Sequence, residues 1–179
     1  MSRNQEKILQ AAMVVLARNP LATLEQIADA AGLARTTLFR HFKTRQGLLR
    51  KLTLEAYSRC TAVMTPILEE PLPPLEKLRR TVAGLVPLGA AFHFLSYEPY
   101  RSTDPEVETL IARYAERWRV LMVDLKREGV LAPDIPEIWA ANVLDMLLFG
   151  AWEGIYRGDL APNTTADLVV RTFLRGVAS

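Results

Sequence analysis

Residues 23–49 read TLEQIADAAGLARTTLFRHFKTRQGLL, and side chains able to grip phosphate or a base edge crowd the centre of that run. They are Arg35, Thr36, Thr37, Arg40, His41, Lys43, Thr44 and Arg45. At about 100° per residue, a helix over residues 35–42 sets Leu38 and Phe42 on one side and Thr36, Thr37 and Arg40 on the other. Arginine presents a fork that fits guanine O6 and N7 together, and threonine offers its methyl to thymine and its hydroxyl to base or phosphate. Arg35 falls in the first turn, where a recognition helix reaches base edges. Thr23 and Thr44 stand at expected helix starts, where free N–H groups and the positive dipole end favour anions, and Lys43 and Arg45 add charge beside the second. This is the chemistry of double-stranded DNA recognition by a helix-turn-helix. The competing reading is a helical hairpin without nucleic acid, and the basic outward face weighs against it.

The elements that must position these residues are legible in the spacing. Thr23 followed by Gln26 forms a capping box, and Gly32 supplies a left-handed residue to end that helix. A third helix then spans about Arg35 to His41. Ahead of them a helix over Arg3 to Arg18 carries an apolar stripe of Ile8, Ala11, Ala12, Val15 and Leu16, and Asn19-Pro20 stops it. A fourth helix starts after Thr44 and reaches Leu68. Pro66, Pro71, Pro73 and Pro74 mark a break. Further helices are expected over about 74–86, 88–96, 104–128, 136–157 and 164–177, with Asp104 as N-cap before Pro105. No segment shows sustained period-two alternation, so the fold class is all-α with about nine helices. The expected organisation is a DNA-binding domain over residues 1–50 and a helical domain over 51–179.

The charge distribution agrees with that division. The 179 residues have a net charge of only +2, but residues 1–60 hold ten basic side chains against four acidic ones. A basic N-terminal third beside an acidic remainder suits a chain of which one part meets phosphate. Half the residues are hydrophobic and 23% are charged, as in ordinary soluble proteins. The lone Cys60 has no disulfide partner and no ligand cluster, which suits a reducing cytoplasm and argues against structural zinc. The start of the chain lacks the pattern of a signal peptide, and no membrane partner is expected. With only His41 and His93 there is no nucleophile–histidine pairing and no metal-binding helix motif, so no catalytic residue, cofactor or metal is expected.

The run AGLARTTLFRHFKTR, residues 31–45, resembles the DNA-binding signature of the tetracycline repressor (TetR) family of bacterial transcriptional regulators. The resemblance covers Glu6 to about Leu52 and includes the I-A-x-x-A-G turn at Ile27 to Gly32. Beyond Pro71 it is one of helix count and length. Three positions depart from the pattern. Ala34 stands where a capping serine is usual, Phe39 lacks the tyrosine hydroxyl that contacts phosphate, and Arg45 replaces a lysine. The resemblance implies a homodimeric repressor that leaves its operator when a small apolar or aromatic effector binds the C-terminal domain.

The same resemblance points to an effector pocket lined by Phe92, Tyr97, Tyr114, Trp118, Met122, Trp139 and Asn142. Core filling is the alternative for any one of these aromatics. Asn142 and Asp145 share a face of an apolar helix, and Asp145 is expected to pair with an arginine such as Arg119, to face a second subunit or to meet a ligand. Gly150 and Gly154 allow close helix packing. The resemblance implies pairing through the last two helices, with Leu148, Trp152, Leu168 and Phe173 as interface candidates. The rival from another class is a helical small-molecule-binding or enzymatic domain that does not bind DNA.

Overall fold

The computed structural model describes residues 2–89 and 104–177. The expected helix over 88–96, and with it Phe92 and Tyr97, falls almost wholly outside the described residues. Eight α-helices and a short 3-10 turn at Val86–Leu88 account for nearly all the described chain. They are α1 (Arg3–Arg18), α2 (Leu24–Ala30), α3 (Arg35–His41), α4 (Arg45–Glu69), α5 (Pro74–Leu85), α6 (Pro105–Arg127), α7 (Glu137–Arg157) and α8 (Pro162–Val177). The fold is all-α.

Two compact units divide the described residues: 2–56 with 104–108, and 57–89 with 109–177. In the first, α1 packs on α2 and α2 on α3. Its core is Ile8, Leu9, Ala12, Met13 and Leu16 of α1 with Ile27, Ala28, Leu38, Phe42, Leu48 and Leu52. The buried stripe of α1 is therefore turned from the expected one. Leu9 and Met13 are inside, and Ala11 and Val15 are only partly covered. The larger side chains of Leu9 and Met13 remove more apolar area from water than Ala11 would, and that sets the rotation.

In the second unit α8 packs on α5 and α7. Residues from Cys60 to Phe173 form one apolar cluster centred on Trp118, Leu121, Met122, Leu144 and Leu148. Helix α7 is long and apolar enough to cross a membrane by length and composition, but it runs through this cluster, burying Ala140, Leu144, Leu148 and Ala151. The last helix begins at Pro162, two residues earlier than expected, because proline at a first helical position needs no N–H partner. Helix α4 runs through Pro66 without a break. Trp152 is locked within the unit, its indole N–H donating to the Leu85 carbonyl at 3.2 Å. A Cβ on Gly89 would lie 1.9 Å from the Trp152 ring, so only glycine admits that approach.

Candidate nucleic-acid interface

The geometry of α2, the turn and α3 is set by caps. The Thr23 hydroxyl accepts the Gln26 amide at 3.3 Å, and the Gln26 side chain accepts the Thr23 amide at 2.9 Å, completing the capping box. Gly32 has φ of 64°, the left-handed conformation that reverses the chain between the two short helices. Helix α3 then begins without a side-chain cap, because Ala34 has extended backbone geometry but no oxygen to offer. Ala34→Ser should add about 0.5–2 kcal/mol to the stability of this helix. The check is amide exchange, which should slow at Thr36 and Thr37.

Helix α3 is held from one side only. Leu38 is fully buried and Phe42 nearly so, while Arg35, Thr36, Phe39 and Arg40 are exposed. Thr37 is half-buried. His41 is also half-buried, and its Nε2 is buried with no hydrogen-bond partner among the described residues, so that nitrogen does not face outward. Beyond the helix Lys43 and Thr44 are exposed. The Thr44 hydroxyl accepts the Gly47 amide at 3.0 Å and so caps α4. Among the described residues Arg35, Arg40 and Lys43 form no ion pair, although Arg35 lies near enough to Glu25 to help hold that carboxyl below its ordinary range.

Arg45 is employed differently from its neighbours. Its guanidinium donates to the Ala22 carbonyl at 3.3 Å and to the Pro20 carbonyl, tying the start of α4 to the turn that leads into α2. The sequence offered no sign of this, since a basic residue beside Lys43 reads equally well as a phosphate contact. Arg45→Ala should destabilise the first unit by about 1–2 kcal/mol, because charge-assisted hydrogen bonds are lost. Faster amide exchange at the start of α2 is the readout.

A second clamp had no signal in the spacing at all. Arg50 donates to both oxygens of Asp104, at 2.7 and 3.1 Å, and to Glu106 at 2.6 Å. Asp104 meanwhile caps α6 by accepting the amides of Glu106 and Val107, and these donors hold its carboxyl below the ordinary carboxylate range, the arginine foremost.

The expected effector and dimer residues scatter. Tyr114, Trp118 and Met122 lie on α6 inside the second unit's core, with Trp118 only 1% exposed. Trp139 and Asn142 are instead on the surface of α7, Trp139 at 58% exposure, because the buried face of that helix is taken by Ala140, Ala141 and Leu144. Leu148, Trp152 and Phe173 are buried within the chain's own core and present no surface to a second subunit. Leu168 is partly exposed. Asp145 does not pair with Arg119, which forks onto Glu116. It accepts the Tyr114 hydroxyl at 2.7 Å instead. A groove of about 640 Å³ between α4 and α6, lined by Thr65, Leu68, Thr109, Arg113, Arg117 and Val120 among others, contains none of the expected effector residues.

Residues 8–52 match the family described as bacterial regulatory proteins, tetR family. Over 176 residues the chain is 31% identical to the HTH-type transcriptional repressor LfrR of Mycolicibacterium smegmatis, covering 98% of this chain and 90% of that protein. The chain belongs to the TetR family. As a TetR-family transcriptional regulator it is also 26% identical to the HTH-type transcriptional regulator NfxB of Pseudomonas aeruginosa, over 98% of this chain and 95% of NfxB. The crystal structure of LfrR from Mycobacterium smegmatis in complex with proflavine superimposes with a TM-score of 0.78 at 29% identity, covering 99% of each chain. The TetR-family assignment thus extends beyond the helix-turn-helix to the whole length.

Proposed function

We propose that this regulator is a repressor that binds operator DNA through α3 as a homodimer and is released by a small molecule bound in its second unit. The observation that carries the reading is the one-sided anchoring of α3, with Leu38 and Phe42 inside and the exposed cations Arg35 and Arg40 outside. In this reading residues 1–50 are the DNA-binding domain. Arg35, Thr36 and Arg40 read bases, Thr37 and His41 flank them, and Thr23, Lys43 and Thr44 face phosphate. Arg45 braces the turn that carries Thr23. The protein acts in the cytoplasm, where its DNA is, and has no catalytic role. The name of the relative LfrR supports repression, and proflavine in LfrR supports a small-molecule effector. Release requires that the effector bind two states of the dimer with different affinities, since equally tight binding to both shifts nothing.

The dimer reading rests on α7. Trp139, Asn142, Met146 and Gly150 succeed one another at three- and four-residue spacing on its uncovered side, with Met146 60% exposed. Two large apolar side chains, Trp139 and Met146, exposed along one side of a helix with the small Gly150 beside them suit an association face. Met146→Glu should leave thermal stability close to the parent and shift the chain from dimer to monomer in sedimentation velocity. A variant that remains dimeric would move the interface elsewhere.

Selection of bound fragments from genomic DNA tests the function itself. Footprinting of the enriched fragment should show two half-sites about one helical turn, roughly 34 Å, apart. No enrichment over random sequence would reject operator binding.

A further inference from the structure

Many cations of the second unit meet carboxylates. Arg80 pairs with Glu70 and Glu76, Arg119 with Glu116, Lys126 with Glu137, Arg127 with Asp124 and Arg157 with Glu153. Three arginines depart from this pattern, and they meet in one place. Arg79 of α5 and Arg171 and Arg175 of α8 line a cleft of about 530 Å³ where these two helices pack together. All three are exposed, and among the described residues none of them forms an ion pair. Arg79 stands next to Arg80 in the chain, yet only Arg80 is neutralised.

The rest of the lining gives the cleft a direction. Val170 is buried and Leu174 half-buried, and they supply its apolar surface. Asp167, Arg171 and Arg175 follow one another at four-residue spacing along α8. A rise of about 1.5 Å per residue sets Asp167 roughly 12 Å along the axis from Arg175. Even with Asp167 set against one arginine, two positive charges stay uncompensated. Like charges four residues apart on a helix repel, and a cleft lined by cations focuses their field on any anion that enters. Arginine forks onto phosphate through two parallel N–H donors, and three such forks suit the several oxygens of a diphosphate. Asp167 repels phosphate and accepts hydrogen bonds from hydroxyl groups, so it turns the phosphate end of a ligand toward Arg171 and Arg175. The volume falls within the range of roughly 300–1,000 Å³ usual for small-molecule sites.

We propose that the cleft between α5 and α8 is a binding site for a nucleoside diphosphate, its phosphates on Arg79, Arg171 and Arg175, its sugar hydroxyls toward Asp167 and its apolar surface against Val170 and Leu174. Neither α3 nor the uncovered side of α7 contributes to this site. It therefore stands independently of how the protein holds DNA or a second subunit.

Calorimetric titration of the full chain with ADP, pyrophosphate and adenosine, at low ionic strength and without added metal, tests the proposal. The parent should bind ADP at least about tenfold more tightly than adenosine, and more tightly than pyrophosphate. Arg171→Gln and Arg175→Gln together should weaken ADP by about tenfold or more, and Arg79→Gln alone by roughly fivefold, because charge-assisted hydrogen bonds are lost. Arg127→Gln makes the same charge change at an exposed position of α6 outside the cleft, and should keep ADP affinity within about twofold, since solvent and salt screen a distant charge. Asp167→Ala should lower the ratio of ADP to pyrophosphate affinity, because it removes the hydroxyl acceptor from one ligand and only a repulsion from the other. The cleft arginines are exposed and without ion pairs among the described residues, so their variants should melt close to the parent. Should the double variant fail to fold, Arg79→Gln, on a different helix, makes the same test. Failure of the parent to bind ADP at millimolar concentration would overturn the proposal. So would ADP binding that survives the double substitution, an equal loss in Arg127→Gln, or an unchanged ratio in Asp167→Ala.

Discussion

Trp118→Ala should lower the unfolding free energy of the second unit by about 3–5 kcal/mol. The side chain is 1% exposed and lies at the centre of the cluster that joins α4, α6, α7 and α8. Truncation removes an indole that Tyr114 meets edge to face, and the space left is surrounded by helices whose separation is fixed by their other contacts. A drop on the order of 10 °C in the thermal transition is the corresponding shift for a chain of this length. At a temperature where the variant is still folded, affinity for effector-free operator should remain within about threefold, since Trp118 belongs to the second unit and α3 to the first. Wild-type thermal stability in Trp118→Ala would remove this residue from the core.

Arg40→Ala has the largest expected effect on function. The side chain is exposed, forms no ion pair among the described residues, and projects from the side of α3 opposite the buried Leu38. Loss of a bidentate base contact should weaken operator binding by about 1–3 kcal/mol, a fall of roughly fivefold to two-hundredfold, and leave binding to random duplex almost unchanged. Competition titrations with specific and random DNA measure both quantities together. Equal losses on the two would reassign Arg40 to phosphate. Fold disruption is a poor explanation for a specific loss here, because the α3 anchors Leu38 and Phe42 are untouched.

The first unit was legible because its signals are local. Thr23 with Gln26, Gly32, and the i, i+4 pair Leu38 and Phe42 each specify their structure within a few residues, and all appear as expected. Asp104 ahead of Pro105 belongs with them. What escaped notice depends on long-range partners. Arg45 reaches back more than twenty residues to the carbonyls of Pro20 and Ala22, and Arg50 reaches forward more than fifty to Asp104. Nothing in local spacing distinguishes such an arginine from one aimed at phosphate.

In the second unit the same limit inverted several roles. An amphipathic pattern gives the presence of an apolar helix but not which of two apolar faces is covered by its own chain. On α7 both sides carry large apolar groups, Leu144, Leu148 and Trp152 on one and Trp139 and Met146 on the other. The packing of α5 and α8 decided in favour of the first set. Asp145 was recognisable as a charge in an apolar run, yet its partner Tyr114 lies thirty-one residues away.

The most direct measurement of the central claim is fluorescence anisotropy of a labelled duplex, carrying a site selected from genomic DNA, titrated with the full-length protein over a range of salt concentrations. The account predicts saturable binding whose logarithmic affinity falls linearly with the logarithm of salt, with a slope of about −0.9 for each phosphate neutralised, and a clear advantage over scrambled duplex. No binding at low salt, or binding indifferent to both salt and sequence, would contradict it.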